Sequence, residues 1–240
     1  MNIVLYHGTD ARILAMSKEE RLNYKKECNL IIDTLYPFFQ PLMKWERTEI
    51  IVDGNKICGH QYPLKLKYGK ILNEKGGKGL YDNLFEKLMM IDSRNNNAGL
   101  YQYENLYLCS TKSTAAHYAT RSYAGGEIGL MAYRLIQGAD IINFENFRPD
   151  SNIQSIMNRI KDFAKEGNEK PAIVTIENID LDFLSFEDGR PIKKENFADW
   201  LERNRKHQLK FRYTKSLELS DCKVELYTKE LYLKIKEEEK

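Results

Sequence analysis

The sequence predicts an α+β fold: a single domain over residues 1–240, built on a split, mostly antiparallel β-sheet. Two observations support this class. Short runs rich in β-branched and aromatic residues, bounded by glycine, asparagine or aspartate, recur along the chain and are typical of strands. Between them lie longer segments whose apolar residues follow helical spacing. Strand segments predominate around the motifs that carry the functional hypothesis.

The predicted elements follow one another in an irregular order. Strands are predicted over residues 2–6, 48–52, 103–109, 128–136, 139–144, 172–176, 181–186, 208–213, 223–227 and 231–235. Helices are predicted over residues 11–45, 80–91, 152–164 and 195–207, with a further helix that follows Thr111 and runs through Ala119. Residues 53–56 predict a hairpin turn, and residues 63–72 fit neither pattern.

The composition is that of an ordinary globular protein. Its 42% hydrophobic and 30% charged residues are sufficient for a substantial core. The net charge of +2 provides no overall field that would favour nucleic acid or a membrane surface. The longest apolar runs are too short to span a bilayer, and the chain starts without the features of a secretory signal. We therefore expect a cytoplasmic protein without a membrane partner.

The four cysteines predict neither disulfide bonds nor a metal site. Cys28, Cys58, Cys109 and Cys222 are widely spaced and include no Cys-x-x-Cys pair. Cys58 and His60 are close in the sequence, but two ligands do not make a zinc site. We expect reduced thiols and no bound metal.

The first motif lies at the end of the first predicted strand, where a run of β-formers stops at His7, Gly8, Thr9 and Asp10. Gly8 has no Cβ, so a ligand could approach its backbone closely. Thr9 and Asp10 are suited to cap the helix predicted to follow. His7 is either a ligand-binding group or a histidine whose ring is satisfied by the backbone.

The second motif lies between Leu106 and Tyr118 and combines a short strand with a helix. Ser110 and Thr111 are suitable N-cap residues for that alanine-rich helix. Tyr107 lies on the strand and Tyr118 on the helix, so the two rings could form the walls of a slot for a flat ligand. The alternative is a strand–helix unit in which both tyrosines are core residues.

Tyr6-His7-Gly8-Thr9 and the pattern Leu-Tyr-x-x-Ser-Thr-x-x-x-Ala-Ala-x-Tyr over residues 106–118 together resemble the ADP-ribosyltransferases of the diphtheria-toxin and poly(ADP-ribose)-polymerase type. That family carries a His-Tyr-Glu signature, and the resemblance covers three short islands of this chain. The stretch between His7 and Tyr107 is longer than a minimal transferase of this fold needs. We therefore expect an insertion or helical lobe within residues 11–99.

The resemblance implies NAD as co-substrate and no metal ion. His7 would bind the ribose on the adenosine side, and the Gly8 backbone would hold the nicotinamide amide. Tyr107 and Tyr118 would enclose the nicotinamide ring. The full NAD-binding set that it implies is His7, Gly8, Thr9, Tyr107, Ser110 and Tyr118. Because bond cleavage passes through an oxocarbenium ion, a carboxylate must stabilise that cation or orient the acceptor.

The catalytic carboxylate has several candidates. Lys-Val-Glu-Leu at residues 223–226 resembles the sequence around the toxin group's catalytic glutamate, which makes Glu225 the first choice beside His7 and Tyr107. An alternative alignment compares residues 210–213 with the glutamate-led strand of the polymerase group. It places Lys210 at the glutamate position, with Gln208 two residues earlier on the same face. Glu218 is a third candidate, and each of these charges could instead be a solvated strand residue.

The acceptor of ADP-ribose is less visible. Residues 193–212 contain seven basic side chains interleaved with Phe197, Trp200 and Phe211. Basic groups beside aromatic rings suit single-stranded nucleic acid, but the acidic residues among them also fit an ordinary charged surface helix. A protein, RNA or DNA acceptor therefore stays open.

The functional hypothesis is an NAD-dependent mono-ADP-ribosyltransferase, acting as a toxin or antiviral-defence effector with an inhibitor (antitoxin) protein as partner. Two alternatives accompany it. RNA 2′-phosphotransferases share the fold and the His-Gly-Thr motif, but they usually carry a basic segment before the motif, for which the position of His7 leaves no room. The other alternative is a non-catalytic NAD or ADP-ribose binding module.

Overall fold

The computed structural model describes residues 3–52, 55–95, 106–165, 167–215 and 217–238, and the α+β class is confirmed. The strands are β1 (Val4–Asp10), β2 (Met43–Val52), β3 (Asn55–Leu66), β4 (Leu106–Cys109), β5 (Pro171–Glu177), β6 (Leu184–Phe186), β7 (Lys210–Tyr213) and β8 (Cys222–Leu226). The helices are α1 (Ala11–Ala15), α2 (Lys18–Phe39), α3 (Gly69–Gly76), α4 (Leu80–Asn95), α5 (Lys112–Arg121), α6 (Glu127–Ile142), α7 (Ser151–Phe163), α8 (Phe197–Asn204) and α9 (Lys229–Glu238).

The chain divides into two compact units. The first contains residues 1–25, 99–130 and 162–240 and holds both sequence motifs. The second contains residues 26–98 and 131–161. Its first segment lies within the range 11–99 predicted as a lobe, whereas its second segment lies outside that range.

A six-stranded antiparallel sheet forms the centre of the first unit, with the strand order β6-β7-β4-β1-β5-β8. β1 pairs with β5 along its whole length, from Val4 opposite Glu177 to Asp10 opposite Pro171. On its other side β1 pairs with β4 at one position, Tyr6 opposite Cys109. The sheet is therefore joined weakly between β1 and β4, and His7 lies where these two strands part.

Each face of this sheet is covered by different elements. Leu5, Val174 and Phe211 belong to a core that includes residues of α8. Cys109 and Ile173 belong to a second core with residues of α5 and α9. Because side chains alternate along a strand, His7 leaves β1 on the same face as Leu5, and Gly8 faces α5.

Gly8 sets the distance between β1 and α5. A Cβ built on Gly8 would lie 1.8 Å from the backbone oxygen of Ala115 and 2.6 Å from the backbone nitrogen of Ala119. The helix can pack this closely because Gly8 has no side chain. The sequence left room for a ligand to approach the Gly8 backbone, and in the structure α5 occupies the space beside it.

Asp10 joins β1 to α1, as predicted for a cap residue. Its carboxylate accepts hydrogen bonds from the backbone nitrogens of Arg12 and Lys170 and forms an ion pair with Arg12 at 2.7 Å. Arg12 also donates to the backbone oxygens of Phe163 and Tyr123, and its guanidinium lies 4.1 Å from the centre of the Phe163 ring. Burial would raise the pKa of Asp10, but Arg12 and the two amides hold it below its ordinary value.

The second unit contains the antiparallel hairpin of β2 and β3 and packs its helices closely. Gly138 of α6 lies against the side chains of Phe39 and Leu84, where a Cβ would come within 3.0 Å of both. Tyr36 of α2 donates a hydrogen bond of 2.9 Å to Asp92 of α4. The hairpin was predicted from β-formers near residues 48–58, and its strands extend beyond that range at both ends.

Three predicted strands are helices in the structure. The strand predictions for residues 128–136 and 139–144 were wrong, because Glu127–Ile142 is the helix α6. Its fully buried residues Met131, Ala132, Leu135 and Ile136 follow helical spacing along one side. The strand prediction for residues 231–235 was also wrong. These residues belong to α9, whose Leu231 and Ile235 are buried one turn apart.

Residues 11–45 were predicted as one long helix, but the structure has two shorter helices in this range, α1 and α2. α1 ends at Ala15, and α2 begins at Lys18 behind a capping box formed by Ser17 and Glu20. α2 continues through Pro37 to Phe39, so Pro37 lies in its last turn and does not end it.

Some predictions fall outside the described residues. These are the start of the predicted strand at Tyr103 and the turn residues Asp53 and Gly54. Among the helices of the described ranges, none combines the length and apolar character needed to cross a membrane.

We expect Gly8→Ala to destabilise the protein by about 2 kcal/mol, because the new methyl group would overlap backbone atoms of α5 that cannot turn away. Urea unfolding followed by circular dichroism measures this change. Gly69→Ala is a matched control, since the atoms nearest to its Cβ would belong to the side chain of Tyr81 and not to a helix backbone. Equal losses in the two variants would contradict the prediction.

We expect Arg12→Met to cost about 3 kcal/mol or more of unfolding free energy, because it leaves the buried Asp10 carboxylate without its cation. Arg159→Met removes an exposed pair with Glu27 and should cost about 1 kcal/mol or less. The same urea measurement compares the two variants. A loss in Arg12→Met no larger than that in Arg159→Met would count against a structural role for the buried pair.

Candidate functional site

The two sequence motifs meet at a hydrogen bond between His7 and Tyr107. The Nδ1 atom of His7 lies 2.9 Å from the backbone oxygen of Tyr107, across the gap where β1 and β4 part. Because a carbonyl oxygen only accepts, His7 carries its proton on Nδ1. Burial lowers the pKa of His7, although the hydrogen bond opposes this shift. The ring is therefore neutral at pH 7, and its Nε2 atom is an acceptor.

The neighbouring residues of both motifs are buried and satisfied by the protein. Thr9 is buried on β1. Ser110 is fully buried, and its backbone oxygen accepts a hydrogen bond of 2.7 Å from Arg205. The predicted cap at Thr111 is confirmed, since its side chain accepts from the backbone nitrogen of Thr114. Ser110 therefore holds the end of β4 in place through its backbone bonds to Arg205 and Leu209.

The two tyrosines of the predicted slot lie on the α5 side of the sheet. Tyr107 alternates with Leu108, which is in the opposite core, and so shares the face of Cys109. Tyr118 extends from α5 and packs, partly buried, against the core that contains Cys109. The strand and the helix thus bring both rings to one side, as the slot requires.

Lys210 is the charged group in contact with Tyr118. Its Nζ atom lies 5.5 Å from the centre of the Tyr118 ring and 3.6 Å from the carboxylate of Glu187. Burial would lower the pKa of Lys210, but a hydrogen bond with Tyr118 and the charge of Glu187 raise it above its ordinary value. The ammonium group stays charged at neutral pH beside the tyrosine.

Cys109 lies opposite Lys210 on the paired strand. Burial raises the pKa of its thiol to about 12. The thiol is therefore protonated at neutral pH and is a poor nucleophile.

Glu225 lies on β8, two strands away from β1. It pairs in register with Ile173, which pairs with Gly8, so Glu225 is about 10 Å from Gly8 across the sheet. Its carboxylate lies 3.3 Å from Lys112 and 3.5 Å from Lys223. Burial would raise the pKa of Glu225, but the two lysines, Lys112 first, hold it below its ordinary value.

The side chains of Glu225 and His7 leave the sheet on opposite faces. Glu225 shares the face of Ile173 and α5, whereas His7 shares the face of Leu5. The structure therefore brings His7 to the Tyr107 backbone and Lys210 to Tyr118, and it places Glu225 at the first turn of α5, beside Lys112.

The other two candidates for the third position lie outside the strands. Gln208 has a left-handed backbone with φ of 52° and is exposed, because β7 begins at Lys210 rather than at Gln208. It does not share a strand face with Lys210. Glu218 is exposed and its backbone oxygen accepts from the Cys222 thiol.

Glu187 is a functional candidate that the motifs did not indicate. It follows β6, and its backbone nitrogen donates to the oxygen of Lys210. Its carboxylate is the one paired with the lysine that contacts Tyr118. The one signal in the sequence is the turn-forming Glu187-Asp188-Gly189, which predicts a turn without naming its partner strand.

Comparisons of the chain with protein-family models, with curated proteins and with solved structures found no match.

The pH dependence of stability tests the neutral state of His7. In the unfolded chain His7 binds a proton below pH of about 6.5, whereas burial resists protonation in the folded state. Stability should therefore fall as the pH drops from 7.5 to 5.5, by at most about 1.4 kcal/mol per pH unit. Urea midpoints at the two pH values measure this loss.

His7→Gln should reduce that loss, since an amide can donate to the Tyr107 oxygen but does not titrate. His207 is exposed before β7 and is the matched control. If His207→Gln removed as much of the pH dependence as His7→Gln, the assignment to His7 would be wrong.

Proposed function

We propose that this protein is an NAD-dependent mono-ADP-ribosyltransferase acting on a macromolecular acceptor. The observation that carries the proposal is the hydrogen bond between His7 and the Tyr107 backbone, which joins the two motif-bearing strands. The His7 ring leaves the sheet on the Leu5 face and the two tyrosines lie on the α5 face, so a ligand must reach both sides through the gap where β1 and β4 part. A neutral His7, whose Nε2 has no hydrogen-bond partner among the described residues, suits a ribose hydroxyl. The two tyrosines on one side of the sheet suit a flat nicotinamide ring.

The reaction needs little from the protein besides binding and charge. The bond between nicotinamide and C1 of its ribose breaks, and the neutral nicotinamide leaves with the electron pair. An oxygen or nitrogen of the acceptor then bonds to the same carbon and loses its proton. Glu225 and Glu187 are the two carboxylates on this part of the molecule that could stabilise the intervening cation, and each already has a lysine partner.

The biological setting that we propose follows from the same resemblance. A chain of this kind would act in the cytoplasm as a toxin or defence effector on protein, RNA or DNA. Its own cell would then need an inhibitor protein. The expected stacking surface in residues 193–212 is not present, because Phe197 and Phe211 are buried in the core and Trp200 packs against it. The basic side chains of that segment alone keep a nucleic-acid acceptor in the proposal.

One observation favours a second candidate, the non-catalytic NAD or ADP-ribose binding module. The charged group that contacts Tyr118 is Lys210, at the position where the polymerase-type alignment expects a glutamate. A fixed ammonium group repels a developing oxocarbenium ion and attracts a phosphate. Binding without transfer would follow if neither glutamate reaches the reacting carbon.

The decisive experiment uses NAD labelled on its adenylate phosphate, incubated with the protein and a cell lysate. We expect label in macromolecules and release of nicotinamide. Sensitivity of the label to protease or to nuclease then identifies the acceptor class. Glu225→Gln or Glu187→Gln, whichever removes the catalytic carboxylate, should lower turnover by about 100-fold or more. Glu195→Gln, at an exposed position, should change turnover by less than about twofold.

Binding of NAD without label transfer or nicotinamide release would overturn the transferase proposal and leave the binding module. Full turnover in both glutamate variants would show that neither carboxylate takes part in the reaction. Absence of NAD binding, measured by calorimetry on the wild-type protein, would overturn both functions.

A further inference from the structure

Two cations on β7 border the tyrosine pair. Lys210 lies opposite Cys109 and Arg212 lies opposite Tyr107, and both share the α5 side of the sheet. Directly opposed residues on neighbouring strands have side chains within contact distance. The strand register therefore places Arg212 beside Tyr107, and Lys210 lies 5.5 Å from the centre of the Tyr118 ring.

The charges of these two cations are balanced differently. Lys210 has Glu187 as its ion-pair partner. Arg212 forms no ion pair within the described ranges of the chain, and its Nε atom is buried there without a hydrogen-bond partner. A buried N–H donor without a partner costs free energy. Arg212 thus holds both an uncompensated charge and an unused donor beside the slot.

The surroundings of Arg212 keep its guanidinium in place. Ser185 of β6 lies opposite Arg212 on the side away from Tyr107. The two terminal nitrogens of Arg212 lie 3.4 and 3.6 Å from the point that a Cβ on Gly189 would occupy. Gly189 has φ of 85°, where a side chain is strained, so the turn before Arg190 leaves room for the guanidinium.

We propose that Arg212 binds a phosphate group of the ligand whose ring lies between Tyr107 and Tyr118. This inference rests on the proposed function, because it assumes a ligand in the tyrosine slot. The planar guanidinium matches two phosphate oxygens. Its buried Nε can take part only if the arriving phosphate displaces the groups that now cover it. Lys210 is already paired and contributes a weaker second charge.

The phosphate could come from two sources with the same chemistry. One is the pyrophosphate of NAD, and the other is a phosphate of the acceptor, as in a phosphorylated RNA end. In both cases Arg212 sets the ligand class: a flat ring linked to an anionic phosphate, rather than a free nicotinamide or a neutral nucleoside.

The test measures binding by calorimetry to wild-type protein, Arg212→Gln and the matched control Arg190→Gln. Arg190 lies in the adjacent turn and is exposed and paired with Asp188. The ligands are NAD, ADP-ribose and nicotinamide riboside, which has no phosphate. We expect Arg212→Gln to lower the affinity for NAD and ADP-ribose by about tenfold or more, and the affinity for nicotinamide riboside by less than about twofold. Arg190→Gln should leave all three within about twofold.

A second arm separates the two sources. If NAD binds equally well to wild-type protein and Arg212→Gln, a short RNA with and without a terminal phosphate is compared. Loss of the preference for the phosphorylated RNA in Arg212→Gln supports an acceptor phosphate at Arg212. Equal binding of every ligand and both RNAs to the two proteins overturns the proposal.

Inorganic pyrophosphate distinguishes this failure from failure of the proposed function. In one outcome, pyrophosphate stabilises the wild-type protein but not Arg212→Gln, while NAD does not bind. That result would support the phosphate site and reject the transferase function. If Arg212→Gln does not fold, Arg212→Lys replaces it. Arg212→Lys keeps the charge but loses the paired donors. It should therefore lower the affinity for NAD measurably, but by less than Arg212→Gln does. An affinity equal to that of the wild type would overturn the proposal.

Discussion

The close approach of α5 to β1 at Gly8 is the constraint on which the candidate site depends. The helix backbone lies where a Cβ on Gly8 would be, and the small side chains of Ala115 and Ala119 permit the contact. This contact fixes both ends of the helix over the sheet. Lys112 at its start meets Glu225, and Tyr118, about 9 Å further along the axis, meets Lys210.

Much of the first unit follows from local sequence, and the strands that were predicted where helices occur share one cause. The strands β1 and β5 and the caps at Asp10 and Thr111 were predictable from β-formers and from hydroxyl or carboxylate side chains at element ends. Residues 128–142 and 231–235 are rich in the same apolar residues but are helical. Tertiary burial determines that these segments are helical, because their buried positions repeat at every helical turn and not at every second residue.

The site was predictable only as far as its two motifs. Short-range patterns indicated that His7, Tyr107 and Tyr118 lie near one another, and the structure joins the first two through a backbone oxygen that no side-chain motif records. Lys210 and Glu187 meet because β6 pairs with β7 and β7 with β4. A register of that kind depends on pairing between distant segments, which local composition does not determine.

The charges on the α5 side of the sheet favour an anionic ligand over a cationic intermediate. Glu225 is held by Lys112 and Lys223, and Glu187 by Lys210, so neither carboxylate presents its full charge to a ligand. Arg212 is the cation of this group that has no acidic partner within the described residues. Binding a phosphate compensates Arg212 without breaking any pair. Under the proposed function, stabilising an oxocarbenium ion would require a lysine to release its carboxylate. An arriving acceptor or a phosphate of NAD would supply that exchange by binding the lysine.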